Sequence, residues 1–159
     1  MNKHIELARR WFDHVNSTYG EYMEFICLYI SLEILTRGKL DYTKNIVKSV
    51  KYAIQKQILD NCTDQTKYFS NNVIKNEYSN AKIKDSSEFS KILYDHKSNK
   101  ADKIIALLQI CFIIRGNIVH GHKNFDSIND RRITKSASVF LRCFLHFVLR
   151  YPDSIENVV

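Results

Sequence analysis

Only five of the 159 residues, four glycines and Pro152, belong to the kinds that regularly break a helix, and this scarcity constrains the fold more than any other feature. A sandwich or barrel needs frequent tight turns, most of them drawing on Gly or Pro, so a chain this poor in both is driven toward long helices and an all-α fold. Hydrophobic residues make up 45% and charged residues 26%, a globular balance. At this length a single domain, residues 1–159, buries most of the apolar surface that the unfolded chain exposes.

The apolar pattern supplies the helices. Residues 4–15 set Ile5, Ala8, Trp11, Phe12 and Val15 at the i, i+3, i+4, i+7 spacing of one buried stripe. Asn16, Ser17 and Thr18 offer a break, and residues 19–36 form a strongly apolar second helix stopped by Gly38, with Glu24 and Ser31 on its polar side. Asp41 caps a third helix to about Leu59, with Tyr42, Ile46, Val50, Ala53, Ile54 and Ile58 facing inward. Its outer face aligns Lys44, Lys48 and Lys51. A less regular helix over 64–80, a polar connection over 80–87 and a short helix over 87–96 follow. Asn99 or Asp102 starts a long helix that is apolar nearly all round, and therefore buried on several sides, up to a stop at Gly121. Asn129 and Asp130 open the last helix, and irregular chain follows Pro152. About five to seven helices result.

Several function classes drop out. Cys27, Cys62, Cys111 and Cys143 form no C-x-x-C pair, which suits a reduced, cytoplasmic protein. The first ten residues lack the apolar centre of a signal peptide, and the run over 104–114 is about half of what a bilayer requires, so no membrane role is expected. There is no phosphate-binding G-x-x-x-x-G-K loop and no G-x-S-x-G elbow. His120 and His122 lack further ligands at zinc spacing, so neither metal nor cofactor is expected. The net charge of +7 and pI near 9.2 favour polyanionic partners, although a lysine face also serves simply to keep a protein soluble.

The long helix ends on Arg115-Gly116-Asn117-Ile118-Val119-His120. A core helix that delivers a guanidinium and an imidazole to its end either anchors the bundle there or gathers an anion. At about 100° per residue, Arg115 and His120 point roughly 140° apart, while Asn117 shares a side with His120 and can orient its ring. The two do not make a self-contained pair on one straight helix; a broken helix end or a two-fold dimer is required. Glu33 follows Ile26, Tyr29 and Ile30 on an apolar stripe of the second helix, where a carboxylate wants a partner, and Arg115 is the candidate. His146, between Leu145 and Phe147, reads as a core or interface residue, and His14 and His96 are weaker candidates for function.

Ile113 to His122, at the end of a buried helix in a small helical chain, resembles the R-x4-6-H signature of HEPN domains, and the stretch from Phe25 to Leu35 is similar to the second helix of the larger, Apea-like HEPN groups. The resemblance implies an up-and-down helical bundle that dimerises, with Arg115 and His120 of both copies in a composite site of a metal-independent endoribonuclease. Two departures stand out. Gly116 occupies the place where the family often has a polar residue, moving that role to Asn117, and His122 stands where the toxins paired with a minimal nucleotidyltransferase carry Tyr. His122 and Glu33 become supporting residues, while Lys44, Lys48, Lys51, Arg131 and Arg132 would grip the RNA backbone by charge. The same resemblance implies a toxin or phage-defence role and an antitoxin or sensor protein as a further partner. A catalytically silent HEPN module that binds RNA or a nucleotide, or only dimerises, fits the same residues. So does an unrelated helical adaptor, whose mark would be Arg115 and His120 on outward, unrelated faces.

Overall fold

The computed structural model describes residues 2–15, 20–78, 80–121 and 127–159, and among these it contains eight α-helices and no β-strand. Helix α1 spans Lys3–His14, and its first turn is closed by the Asn2 side chain, which accepts from the His4 amide at 2.9 Å. It buries Ile5 and Ala8 against α2, Glu21–Thr36, which is apolar on nearly every side and packs on both α1 and the last helix. Ser31 of α2 is fully buried, not on a polar outer side. Its hydroxyl donates to the Ala8 carbonyl at 2.7 Å, which makes burial of the oxygen tolerable. Left-handed backbone at Arg37 and Gly38 ends α2, and the Gly38 amide donates to the Glu33 carbonyl.

The expected third helix is two helices, α3 over Leu40–Ser49 and α4 over Tyr52–Asn61, which takes the count past seven. Val50 and Lys51 are extended, and the buried Gln55 amide donates to the carbonyls of Val47 and Val50 at 3.1 and 3.0 Å. That amide satisfies acceptors that a helix end leaves open, so the break costs little. A period that counts only apolar residues cannot register such a cap. Ala53, placed on the outer side by the new direction of α4, is exposed.

Helix α5, Thr63–Asn71, stops well before residue 80. Beyond it, residues 72–78 and 80–86 belong to an excursion from the helices closed by an isolated antiparallel bridge between Lys75 and Asp85. The Ser86 hydroxyl accepts from the Ile74 amide at 2.7 Å, and Asn76 donates through its backbone to Lys84 and through its side chain to Ile83. Asn and Ser compete with helical hydrogen bonds in this way, and here they prevail over helical spacing of Val73, Ile74 and Tyr78. Helix α6, Ser87–Tyr94, brings the chain back.

Helix α7, Lys100–Val119, is the axis of the fold. The Asn99 side chain caps it by accepting from the Asp102 amide, and Ile104, Leu107, Ile110, Cys111 and Ile114 are all fully buried between α3, α4, α6 and α8. Gly121, at φ 72°, turns the chain out of the helix. Helix α8, Ile128–Arg150, is capped by Ser127 rather than by Asn129 or Asp130. After it comes a 3-10 turn at Pro152–Ser154, and Ile155 then packs fully buried on the core. Among the described residues no helix is long and apolar enough to cross a membrane.

Candidate functional site at the end of helix α7

Arg115 and His120 leave the core at the same helix end but reach different neighbours. The Arg115 guanidinium lies 3.3 Å from Glu33 of α2, with its carbon 5.9 Å from the centre of the Tyr29 ring. Both charged side chains remain about one third exposed, so the pair is solvent-screened and contributes about 0.2–1 kcal/mol, enough to orient a fork without immobilising it. Tyr29 beneath is buried. Burial, and then the Glu33 carboxylate, push its hydroxyl pKa above the usual tyrosine range, while the Arg115 charge works the other way. Beside the pair, a cavity of about 300 Å³ opens between α2, α3 and α7, with Glu33, Gln109, Phe112 and Ile83 in its wall.

His120 is the residue at which α7 ends, and its amide still donates to the Gly116 carbonyl at 3.0 Å. Its ring stacks on Tyr78, 4.4 Å between centroids and 15° from parallel. The stack covers one face and leaves the two nitrogens at the edge. Neither has a hydrogen-bond partner among the described residues.

Asn117 does not orient the imidazole. It is fully buried and faces the excursion, accepting from the Glu77 amide and donating to the Lys75 carbonyl, both at 2.9 Å. An amide with one donor and one acceptor engaged by the same strand of backbone acts as a peptide-like clamp. Through that clamp α7 holds the excursion, and the excursion holds Tyr78 against His120. Neither Tyr78 nor the clamp was visible in residue spacing, because both depend on a contact forty residues apart in sequence. The signal that was available is the cluster of Asn residues at 71, 72, 76 and 80, which marks non-helical chain.

The cations expected to grip a ligand are scattered. Lys44 is half-buried and Lys48 exposed on α3, but Lys51 lies in the break between α3 and α4 and has left their register. Arg131 points to α2, 3.7 Å from Glu21, while Arg132 lies near Tyr68 of α5, whose hydroxyl pKa burial raises and the Arg132 charge partly offsets. Glu24, expected on an open polar side, pairs with Arg142 at 2.8 Å. His146 is exposed, packed edge-on against Phe147, because α8 turns that side away from the core. His122 lies outside the described residues. Among the described residues no three of His, Cys, Asp and Glu cluster as metal ligands would.

Comparison of the chain with protein-family models, with curated proteins and with solved structures finds no match. What the molecule does must therefore be argued from the site.

Proposed function

We propose that this chain is a metal-independent endoribonuclease of the HEPN type, an up-and-down helical bundle that works as a homodimer. One observation carries the reading: a buried helix delivers to its open end a guanidinium steadied by Glu33 and an imidazole whose nitrogens are unengaged among the described residues. A permanently charged planar fork suits the non-bridging oxygens of a phosphodiester, and an imidazole suits proton transfer near neutrality.

A second copy supplies what one chain lacks. Arg115 and His120 face α2 and the excursion respectively, so one chain's groups diverge, whereas a two-fold axis at this helix end brings two of each together. Gly116 supports such a contact. It lies in helical backbone, a methyl group there would meet nothing within 4 Å, and the flanking Phe112 and Val119 are both more than half exposed. Glycine in a helix costs roughly 0.5–1 kcal/mol relative to alanine, and nothing among the described residues uses it; close approach of a partner helix would.

In the reaction, the ribose 2′-oxygen attacks phosphorus as its proton passes to one His120. The bond to the 5′-oxygen breaks, and the other copy's imidazole protonates that oxygen. Arg115 stabilises charge gathering on the phosphoryl oxygens. The products are a 2′,3′-cyclic phosphate and a 5′-hydroxyl. A toxin or phage-defence setting, with an antitoxin or sensor protein restraining the enzyme in the cytoplasm, belongs to the same proposal.

The carboxylate on Arg115 favours a second reading, a silent module that binds RNA or only dimerises, because a neutralised guanidinium holds phosphate less strongly. Incubating purified protein with mixed RNA in EDTA separates the two. The nuclease reading expects cleavage that His120→Ala and Arg115→Ala abolish; RNA bound but left whole by the wild type overturns it.

A further inference from the structure

A group of lysines without ion-pair partners among the described residues lies at the other end of α7. A cleft of about 430 Å³ separates α5 from the start of α7 and the chain after α6, and it is lined by Lys67, Lys100, Lys103, His96 and Tyr94. Among the described residues none of the three lysines has an ion-pair partner. The one carboxylate in the wall, Asp60, is already engaged by Lys56 at 2.6 Å. Three like charges around one hollow repel each other, and none of the three forms an ion pair among the described residues that would offset this.

One aromatic ring, Tyr94, lines the cleft, and a second, Tyr52, stands beside its Lys100. Tyr94 is 71% exposed with its ring 6.5 Å from that of His96, and Tyr52 is 67% exposed with the Lys100 ammonium 5.5 Å from its centre. Rings of this size are ordinarily covered, and here they stand beside cations. On the facing side, Thr63, Thr66 and Ser70 follow one another along α5, each hydroxyl donating to a nearby backbone carbonyl. Their remaining lone pairs can accept from a ligand. Cations for phosphate, flat rings for a base and acceptors for sugar hydroxyls or amino groups together describe one kind of ligand.

We infer that this cleft binds a nucleotide unit through its phosphate and base, either as a free nucleotide or as part of a single-stranded RNA. It is a separate site from the one at the other end of the helix. Lys100 and His120 are twenty residues apart on α7, about 30 Å at 1.5 Å per residue, so the inference does not depend on the nuclease reading.

The test is titration of the full chain, followed by fluorescence anisotropy, with a labelled 2′-O-methyl oligonucleotide that cannot be cleaved, and competition by AMP, ATP and inorganic phosphate. The Lys100→Gln/Lys103→Gln double variant should weaken strand binding at least tenfold and make its salt dependence shallower by about 1.4 in the log–log slope, as expected when two fewer phosphates of a single strand are neutralised. Tyr94→Ala should weaken it about tenfold through lost stacking. Competition by AMP or ATP but not by inorganic phosphate, with weak strand binding, identifies a free nucleotide as the occupant; tight strand binding with poor competition identifies RNA. Binding that is indifferent to the double variant, absent for every nucleotide probe, or matched by inorganic phosphate and untouched by Tyr94→Ala overturns the inference. Lys67→Glu, on an exposed position of α5, provides a second charge test whose folding is read independently by thermal melting.

Discussion

Replacing Asn117 with alanine separates a clamp from a catalytic side chain. The substitution removes one hydrogen bond to the Glu77 amide and one to the Lys75 carbonyl, each worth about 1 kcal/mol net. Because Lys75 and Glu77 are themselves exposed, water can re-engage their backbone groups once the excursion lifts, which limits the penalty for unpaired groups. A loss of about 2 kcal/mol is therefore expected in urea unfolding, with the melting temperature falling by about 4–8 °C. Amide exchange should localise the effect: Asn76 and Glu77 lose protection while the α7 core amides from Ile104 to Ile114 keep theirs. RNA cleavage should fall as well, because Tyr78 no longer packs on His120. The discriminating variant is Tyr78→Ala, which removes the stack but leaves the clamp, and should lower cleavage with a stability change under about 1 kcal/mol. If Asn117→Ala costs less than about 0.5 kcal/mol and exchange in the excursion is unchanged, the clamp is wrong.

Gly116→Ala should raise stability by about 0.5–1 kcal/mol in dilute protein, since helical propensity improves and the methyl group enters open space, while Gly116→Leu should weaken dimerisation measured by sedimentation. Glu33→Gln should change stability by less than about 1 kcal/mol, because both partners of the Arg115 pair are about one third exposed; a larger loss would mean the pair is structural. Tyr29 gives a pH signature. Its hydroxyl pKa is raised in the folded state, so its contribution is complete below the ordinary tyrosine value near 10 and is lost as pH climbs above it. Stability should thus decline with rising pH above about 10, and Tyr29→Phe should make that decline shallower in urea titrations at successive pH values; an unchanged slope would refute the assignment.

The helices were legible where burial alone decides them. The all-round apolar pattern of α7, its cap at Asn99 and its stop at Gly121 appear as the residues lead one to expect, and so does the pairing of Glu33 with Arg115, which followed from a carboxylate on an apolar stripe. The elements that differ are those set by side-chain amides and hydroxyls. Gln55 stabilises the break between α3 and α4, Ser31 is buried by a bond to α1, and Asn76, Ser86 and Asn117 turn a helical spacing into an excursion. Each of these bonds joins residues by a contact that periodicity does not encode. The site inherits the same division: its cation and imidazole are readable, and the wall that positions the imidazole is not.

The central claim concerns bond chemistry, and the chemistry of the cut ends tests it most directly. A defined RNA should be digested in EDTA and the fragments resolved by mass spectrometry. The account predicts 3′ fragments beginning with a 5′-hydroxyl and 5′ fragments ending in a 2′,3′-cyclic phosphate, with no cut at a position carrying a 2′-O-methyl group. Fragments with 5′-phosphates, or cutting that persists at a 2′-O-methyl position, would contradict it.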